Sequence, residues 1–285
     1  MARPRLPPAE RVRARLARSL GRELAGGVPD GYQRLGRVLL VRVPPGLWPH
    51  RAELGEAWRE ELGVETVLAR AGPIGGELRE PSVVRLAGGA TVTEVVEHGI
   101  RWRFDAARIM FAQGNRVERQ RARRLVRPGE TVADLFAGIG YFAIPAAVGS
   151  RTTRVLAVEK NPLAHGFLVE NARLNGVADR LLPLLGDNRV VELPEHAVDR
   201  VFLGWLPDAT PWVGRSLRLL RRDGGVLHVH RVDDVRVPLA AAAEKVAAEI
   251  VASGGRLRGP PSAREVKPYG PGRRHLVVDA VAAPG

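Results

Sequence analysis

Cysteine is absent from the 285 residues, which excludes disulfides and thiolate metal sites and is compatible with a reducing compartment. Lysine is scarce as well: Lys160, Lys245 and Lys267 are the three lysines among 44 basic residues, so arginine carries almost all of the positive charge. No run approaches the roughly 18 apolar residues of a membrane span, and the basic N-terminal text MARPRLPPAERVRARLARSL has no apolar stretch of signal-peptide length. A soluble cytoplasmic protein without a membrane partner is the expectation. No internal repeat or low-complexity block interrupts the chain, which is long enough for one large or two modest domains, each with its own core.

What the chain has in excess is positive charge. Its formal net charge is +13 and its isoelectric point lies near 11.3, a balance that favours an anionic partner, most often nucleic acid. The bias toward arginine, alanine, glycine, proline and valine also follows from a GC-rich coding sequence, so charge alone leaves the partner open.

Val12, Leu16, Leu20 and Leu24 recur at helical spacing among arginines, so residues 3–24 read as a basic amphipathic helix, closed by the turn text GGVPDGY, that docks on the body, lies against phosphate or, the favoured reading, presents a solvated face. The expected division is a basic N-terminal extension over 1–30, a small α+β domain over 31–110 and a larger α/β domain over 111–285. In the small domain, residues 38–44 and 66–70 read as strands on either side of a helix at 50–62. Residues 83–86, 91–97 and 100–105 read as further strands, the last two joined by the hairpin signal His98-Gly99. Between 111 and 130, Val117, Arg121 and Leu125 repeat at four-residue spacing, a helix stopped by Pro128-Gly129.

From residue 131 the pattern alternates: strands at 132–136, 155–160, 181–187, 199–207, 224–232 and 275–281, helices at 142–148, 164–175, 212–220 and 239–252. That alternation predicts a doubly wound, mostly parallel sheet, with its ligand outside the carboxyl ends of the strands near the switch point. The stretch TVADLFAGIGYFAIP (131–145) is a strand, a glycine turn and a helix start, where backbone N–H groups can meet a ligand. Asp134 near the strand end points to a nucleoside-bearing cofactor. Glu159 ends the next strand, where one carboxylate can accept both hydroxyls of a ribose, and Asp187 ends the third, in GDN, placed to meet an adenine amino group. Asn115, Glu118 and Arg119, just before the glycine turn, are candidates for the pocket rim or for ion pairs at i,i+3 and i,i+4. His228 and His230 share one strand face. No nearby motif supplies a third ligand, so no metal is expected, and a base or a packed role stays open for each.

The motifs DLFAGIGYFAIP, VEKNPLAHGFLVENARLNGV, GDNR and VKPYGPGRRHLVVDA, with GIRWRFDAARIMFAQGNRVERQR upstream, resemble the family of archaeal and eukaryal tRNA guanosine-37 N1-methyltransferases and wybutosine-synthesis aminocarboxypropyl transferases. The similarity spans residues 31–281. It implies S-adenosylmethionine as cofactor, tRNA as partner, and a Rossmann-like class I methyltransferase fold, doubly wound and mostly parallel, preceded by a smaller α+β domain. The cofactor-binding residues it implies are Asp134, Phe136, Ala137, Gly138, Ile139, Gly140, Glu159, Lys160, Asn161, Asp187, Asn188 and Gly204. The catalytic candidates are Glu118, Arg119, His228 and His230.

The branches of that family differ at the fourth strand. The methyltransferases carry an Asn-Leu-Pro ending that holds the target base; here the text is FLGWLP, with Gly204 at the asparagine's place. This glycine, GDNR and VLHVHR are similar to the aminocarboxypropyl branch, so the expected reaction is transfer of the 3-amino-3-carboxypropyl group to a modified guanosine, a wybutosine precursor, at tRNA position 37. A sulfonium has three carbons open to attack, and the one in line with the nucleophile at about 3–3.5 Å reacts. Exposing the methionine Cγ requires a cation or backbone donors for the tail carboxylate; Arg119 and the amides around Ile139 are the candidates. Three alternatives stand beside this reading. The first is the same transfer to a small-molecule acceptor such as a phenol oxygen in antibiotic biosynthesis, as in isonocardicin synthesis, with Glu118, His228 or His230 as base. The second is methyl transfer to guanosine 37, disfavoured by Gly204, and the third an RNA-binding module that keeps the fold without the chemistry.

Overall fold

The computed structural model describes residues 6–285, so the first residues of the expected N-terminal helix, up to Arg5, lie outside the described residues. The chain divides into two compact units, Met1–Phe111 and Ala112–Gly285.

The first unit opens with α1 (Pro8–Leu20) and α2 (Arg22–Gly26). Pro8 stands at the first helical position, where its missing N–H costs nothing. Ala9, Val12 and Leu16 form a buried stripe on α1 and enter a core with Leu39, Leu54, Trp58 and Val67. Arg11 pairs with Glu61 at 2.5 Å, and Arg15 pairs with Glu60. The N-terminal helix is therefore not the separate solvated extension that its arginines imply. Its apolar stripe closes one side of this unit's core, because burying a Val or Leu side chain is worth about 1.5–3 kcal/mol.

The strands β1 (Tyr32–Leu35), β2 (Val38–Val41), β3 (Thr66–Arg70) and β4 (Val83–Ala87) make one sheet in the order β1-β2-β3-β4. β2 and β3 run parallel across the helix α3 (Arg51–Leu62), while the other two pairs are antiparallel. Gly55 in mid-helix lets α3 lie directly on β4: a Cβ there would stand 2.5 Å from that of Leu86. β1 escapes a pattern-based reading because YQRL buries one residue of its four, Leu35. β5 (Val92–Glu97) and β6 (Ile100–Asp105) form a separate hairpin. His98 and Gly99 turn it with φ of 51° and 78°, the left-handed pair that a two-residue hairpin loop demands.

The second unit begins with α4 (Arg116–Leu125) and continues as β7 (Thr131–Asp134), α5 (Ala143–Gly149), β8 (Arg154–Glu159), α6 (Pro162–Leu174), β9 (Leu181–Leu185), β10 (Arg200–Leu203), α7 (Val213–Leu219), β11 (Gly225–Asp234), α8 (Leu239–Ala252), β12 (Arg256–Leu257), β13 (Ser262–Gly270) and β14 (Arg273–Ala283). The sheet order is β12-β14-β11-β10-β7-β8-β9, with β13 also paired to β14. The five strands from β11 through β10, β7 and β8 to β9 are parallel, and β14 runs antiparallel to β11. This is the doubly wound, mostly parallel sheet that the alternation predicts. From β7 the chain winds through β8 to β9 on one side and then crosses to β10 on the other. The switch point, where such sheets bind ligands, therefore lies at the carboxyl ends of β7 and β10.

Three expected boundaries shift. β7 stops at Asp134, β9 at Leu185 and β10 at Leu203, so Phe136, Asp187 and residues 204–207 belong to loops beyond the strand ends. On α4 the apolar spacing misleads: Val117 is 68% exposed, while Glu118, Arg119 and Ala122 are buried. β13 is missed by pattern because its register is broken twice, around Val266 and Tyr269, and Pro268 interrupts it at the sheet edge. Among the described residues no helix is long and apolar enough to cross a membrane.

The docking of α1 is testable by stability. Leu16→Ala should cost about 2–5 kcal/mol in urea unfolding, whereas Arg18→Ala, on the exposed face, should stay within about 0.5 kcal/mol of wild type. Equal, small effects would return α1 to a solvated role.

Candidate functional site

The glycine turn after β7 is held by two carboxylates. Asp134, fully buried at the strand end, accepts the Phe136 N–H on Oδ1 at 3.2 Å and the Ala143 N–H on Oδ2 at 3.1 Å, which binds the turn to the start of α5. Glu159, at the end of β8, accepts the Gly138 N–H on Oε2 and the Asn161 N–H on Oε1, each at 2.7 Å. Inside the turn, Ala137 donates to the Val158 carbonyl at 2.9 Å, and its own carbonyl accepts from Gly140 at 2.7 Å and Tyr141 at 3.0 Å. Gly138 and Gly140 have φ of 56° and 103°, conformations that favour glycine. A Cβ on Gly138 would stand 2.7 Å from the Tyr141 ring. The Ile139 carbonyl accepts from the Asn171 side chain at 3.2 Å. Burial pushes the Asp134 carboxyl up to about 7, against the opposing pull of its backbone donors. Burial also raises that of Glu159, which its donors Asn161 and Gly138 partly offset.

The third acid is engaged differently. Asp187, past the end of β9, lies between Arg189, whose Nε is 2.9 Å from Oδ1, and Lys160, whose Nζ is 3.0 Å from Oδ2. The hydrogen bond from the Arg189 guanidinium, first among its causes, holds this carboxyl well below the usual range. Asn161 uses its side-chain oxygen to cap α6, accepting from Leu163 at 2.9 Å and Ala164 at 3.4 Å. Asn188 is buried and donates to the Leu135 carbonyl at 2.7 Å. The Phe136 ring stacks on Trp205 at 5.4 Å and meets Trp212 edge-on at 5.0 Å. Gly204 follows the end of β10, and a Cβ there would lie 2.8 Å from the Phe142 ring. That ring is itself flanked by Phe202 at 5.4 Å and His230 at 5.0 Å.

Asp134, the 137–140 turn and Glu159 are thus brought together by direct hydrogen bonds, whereas two of the catalytic candidates, Glu118 and His228, sit in a buried polar relay and the other two, Arg119 and His230, lie outside it. Glu118, 1% exposed, pairs with Arg121 at 3.0 Å and with Arg264. Arg121 reaches on to Asp279. Asp279 meets His228 Nδ1 at 2.6 Å, and Arg200 Nη1 donates to His228 Nε2 at 2.7 Å. Arg200 in turn forms a two-pronged pair with Glu130, both contacts at 2.9 Å. Because guanidinium donates only, Nε2 of His228 is the acceptor and its proton sits on Nδ1, facing Asp279. Burial lowers the His228 pKa, opposed by Asp279. Burial would raise Asp279, but His228 and Arg121 outweigh it and the net direction is down. His230 bonds His275 ring to ring at 2.8 Å, and burial followed by that neighbour holds it well below its ordinary value. The i,i+3 pair expected for α4 exists, but it is buried rather than solvated. Arg119, 3% exposed, donates to the Ala112 carbonyl at 3.0 Å and lies over the Tyr141 ring, 5.9 Å from its centroid.

The residues that sequence reasoning missed are partners made through space: Tyr141 against Gly138, Phe142 against Gly204, Asp279 and Arg264 in the relay, and Lys267. Only Lys267 carried a signal, as one of three lysines in an arginine-rich chain.

Comparison with known proteins bears on this geometry. Residues 93–252 match the TRM5/TYW2 methyltransferase domain and residues 12–91 the TYW2 N-terminal domain. The chain is similar to the tRNA(Phe) (4-demethylwyosine(37)-C(7)) aminocarboxypropyltransferase of Pyrococcus horikoshii, with 40% identity over 77% of this chain and 78% of that protein. It is similar to the protein of the same name from Methanocaldococcus jannaschii, with 36% identity over 87% and 96%. Among solved structures, P. horikoshii TYW2 in complex with MeSAdo matches with a TM-score of 0.85 and 32% identity over 97% of this chain and 100% of that one.

The staple at Asp134 has a pH signature. In the folded chain it holds its proton up to about pH 7, and in the unfolded chain only to its ordinary 3.8. Between those values the folded state binds more protons, so this acid's contribution to stability falls as pH rises, by at most about 1.4 kcal/mol per pH unit. The unfolding free energy of wild type minus that of Asp134→Asn, measured in urea, should therefore decline from about pH 4 to about pH 7. A flat difference would contradict the raised pKa.

Proposed function

The chain belongs to the TRM5/TYW2 methyltransferase family, and from that premise we propose that it transfers the 3-amino-3-carboxypropyl group of S-adenosylmethionine to C7 of 4-demethylwyosine at position 37 of tRNA. The fold is the class I S-adenosylmethionine-dependent fold of that family. A cytoplasmic location belongs to the same reading.

The observation that carries the choice of chemistry is the end of β10. Gly204 has no side chain, and the Phe142 ring, boxed by Phe202 and His230, fills the space where a Cβ would point. The amide that the methyltransferase branch sets against its target base is thus replaced here by an aromatic wall. Support for the substrate comes from relatives that share most of this chain's length and carry that substrate in their names. The net charge of +13 suits a polyanion.

The residues present fit the cofactor. Gly138 and Gly140 leave the turn open to close approach, and Glu159, at the end of the second strand of this sheet, keeps a carboxylate at the place of a ribose diol. Asp187 stands beyond the third strand as the acceptor for the adenine amino group, with Lys160 and Arg189 fixing its direction. Arg119, lying over Tyr141, is the cation for the methionine tail. When bound, S-adenosylmethionine would supply an electrophilic Cγ: transfer would form the C7–Cγ bond, break Cγ–S to release methylthioadenosine, and pass the C7 proton to solvent. Glu118 and His228 hold framework positions in the relay, each engaged by charged partners on both sides.

With tRNA bearing 4-demethylwyosine, the sulfur product should be methylthioadenosine. S-adenosylhomocysteine as the product would overturn the reading in favour of methyl transfer, and product formation on a phenol but not on the tRNA would overturn the acceptor.

A further inference from the structure

Arg231 ends the text VLHVHR, and neither the relay nor the cofactor turn gives it a task. It stands on β11 and is 4% exposed. Its Nε and Nη2 donate to the two oxygens of Asp233, each at 2.9 Å. That fork alone would neutralise the buried guanidinium, yet the remaining nitrogen is engaged elsewhere. Nη1 donates to Thr210 Oγ1 at 3.0 Å and lies 3.6 Å from Asp208 Oδ1. Both of these residues belong to the loop between β10 and α7.

That loop, 204–212, begins at Gly204 and is laid against β11. Asp208 faces Arg231 in an antiparallel bridge, bracketed by two backbone bonds: Val232 donates to the Pro207 carbonyl at 2.7 Å, and Ala209 donates to the His230 carbonyl at 3.0 Å. Within the loop, Asp208 Oδ1 accepts the Thr210 N–H at 2.9 Å and the Thr210 hydroxyl at 2.5 Å. The hydroxyl proton thus points to Asp208, its lone pairs accept from Arg231, and Arg231, Asp208 and Thr210 close a ring of contacts. Burial opposes the charge on Arg231, but the bond to Asp233 and the nearby charge of Asp208 outweigh it. On either side of the ring, Trp205 and Trp212 pack on Phe136 of the cofactor turn at 5.4 and 5.0 Å.

We infer that Arg231 is a positioning residue for the acceptor: through Asp208 and Thr210 it fixes the β10–α7 loop in the form that receives the planar base. That the end of β10 faces the acceptor rests on the transferase reading; the clamp rests on the geometry. Loops that meet ligands are drawn from the least stable parts of a fold, and a loop only partly in its receptive form binds its partner more weakly by that fraction. A clamp buried beneath the loop removes this loss without touching the base. Arginine is the suited residue, because its planar fork holds Asp233 while its remaining nitrogen reaches Thr210. A lysine is a single point charge and cannot do both.

The experiment uses the full chain with S-adenosylmethionine and tRNA bearing 4-demethylwyosine. Asp208→Ala opens the ring and leaves the Arg231–Asp233 pair intact, so no buried charge loses its partner. Arg231→Lys keeps the charge and loses the fork. Each should raise the KM for tRNA about tenfold, with kcat and the Kd of S-adenosylmethionine within about twofold of wild type. The sign is informative: deleting an acid strengthens binding to a polyanion where charge alone acts, so weaker binding by Asp208→Ala is the mark of the clamp. Asp223→Ala makes the same charge change at an exposed position before β11 and should not raise the KM. The double variant Asp208→Ala/Arg231→Lys should stay within about twofold of the weaker single variant, since both open one ring. An unchanged or lowered KM for tRNA would overturn the inference, and so would additive effects in the double variant. Parallel losses in kcat, tRNA binding and S-adenosylmethionine binding would overturn it too, because they mean a purely structural role. The transferase reading fails separately, by the identity of the sulfur product that the wild type releases.

Discussion

The carboxylate of Glu159 is the joint on which the second unit depends. Its two oxygens accept one N–H from each of two βα junctions, Gly138 after β7 and Asn161 after β8, both at 2.7 Å. These junctions are the two that border the proposed cofactor site. The two bonds satisfy both amides at a buried place where unpaired ones are costly. Asn161 is thereby oriented to cap α6, and Gly138 to face the Tyr141 ring. The acid proposed for the ribose hydroxyls is thus already fixed in place by the backbone, so binding does not have to order it.

A polar relay runs across the sheet, Arg264–Glu118–Arg121–Asp279–His228–Arg200–Glu130, and ties the edge strand β13 through α4, β14, β11 and β10 to the loop before β7. Each member has a partner on either side except at the ends. Removing one partner of a buried pair costs about 3–5 kcal/mol, because the other charge is left uncompensated. The relay explains a peculiarity of α4, which turns Glu118 and Arg119 inward and Val117 outward. It also changes the meaning of two residues that look like bases. A carboxylate between two arginines and an imidazole between an arginine and an aspartate are poor proton acceptors and good struts.

How far the sequence could be read follows from the same interactions. The central strands were legible because a parallel sheet covered on both faces needs continuous apolar text, as in VLAVEK and, in β10, VFL. The acids at the strand ends were legible because their spacing follows from the βαβ repeat. The face of α4 was not, since apolar periodicity is blind to a helix that buries charge. The docking of α1 was legible only as the less favoured option, because arginines that pair with Glu60 and Glu61 looked like a solvated surface. Contacts such as Arg121 with Asp279, 158 residues apart in the chain, or Phe142 on Gly204, leave no local mark at all.

Product choice in such a site needs two constraints, one on the cofactor's tail and one on the acceptor's side. On the proposed reading the acceptor side is bounded by Phe142, against whose ring Phe202 and His230 stack at 5.4 and 5.0 Å. An aromatic surface offers dispersion and a flat face, with no donor or acceptor for a base edge. Such a wall tolerates any planar ring and reads no hydrogen-bonding pattern, so discrimination among bases has to come from elsewhere in the protein or from the shape of a tricyclic base itself. Restraint of the tail then carries the chemistry. Where an amide holds the base edge, the base can be aimed at the methyl carbon; where only a ring face meets it, the cofactor is what has to be aimed, and charge on the tail is the direct way to do so.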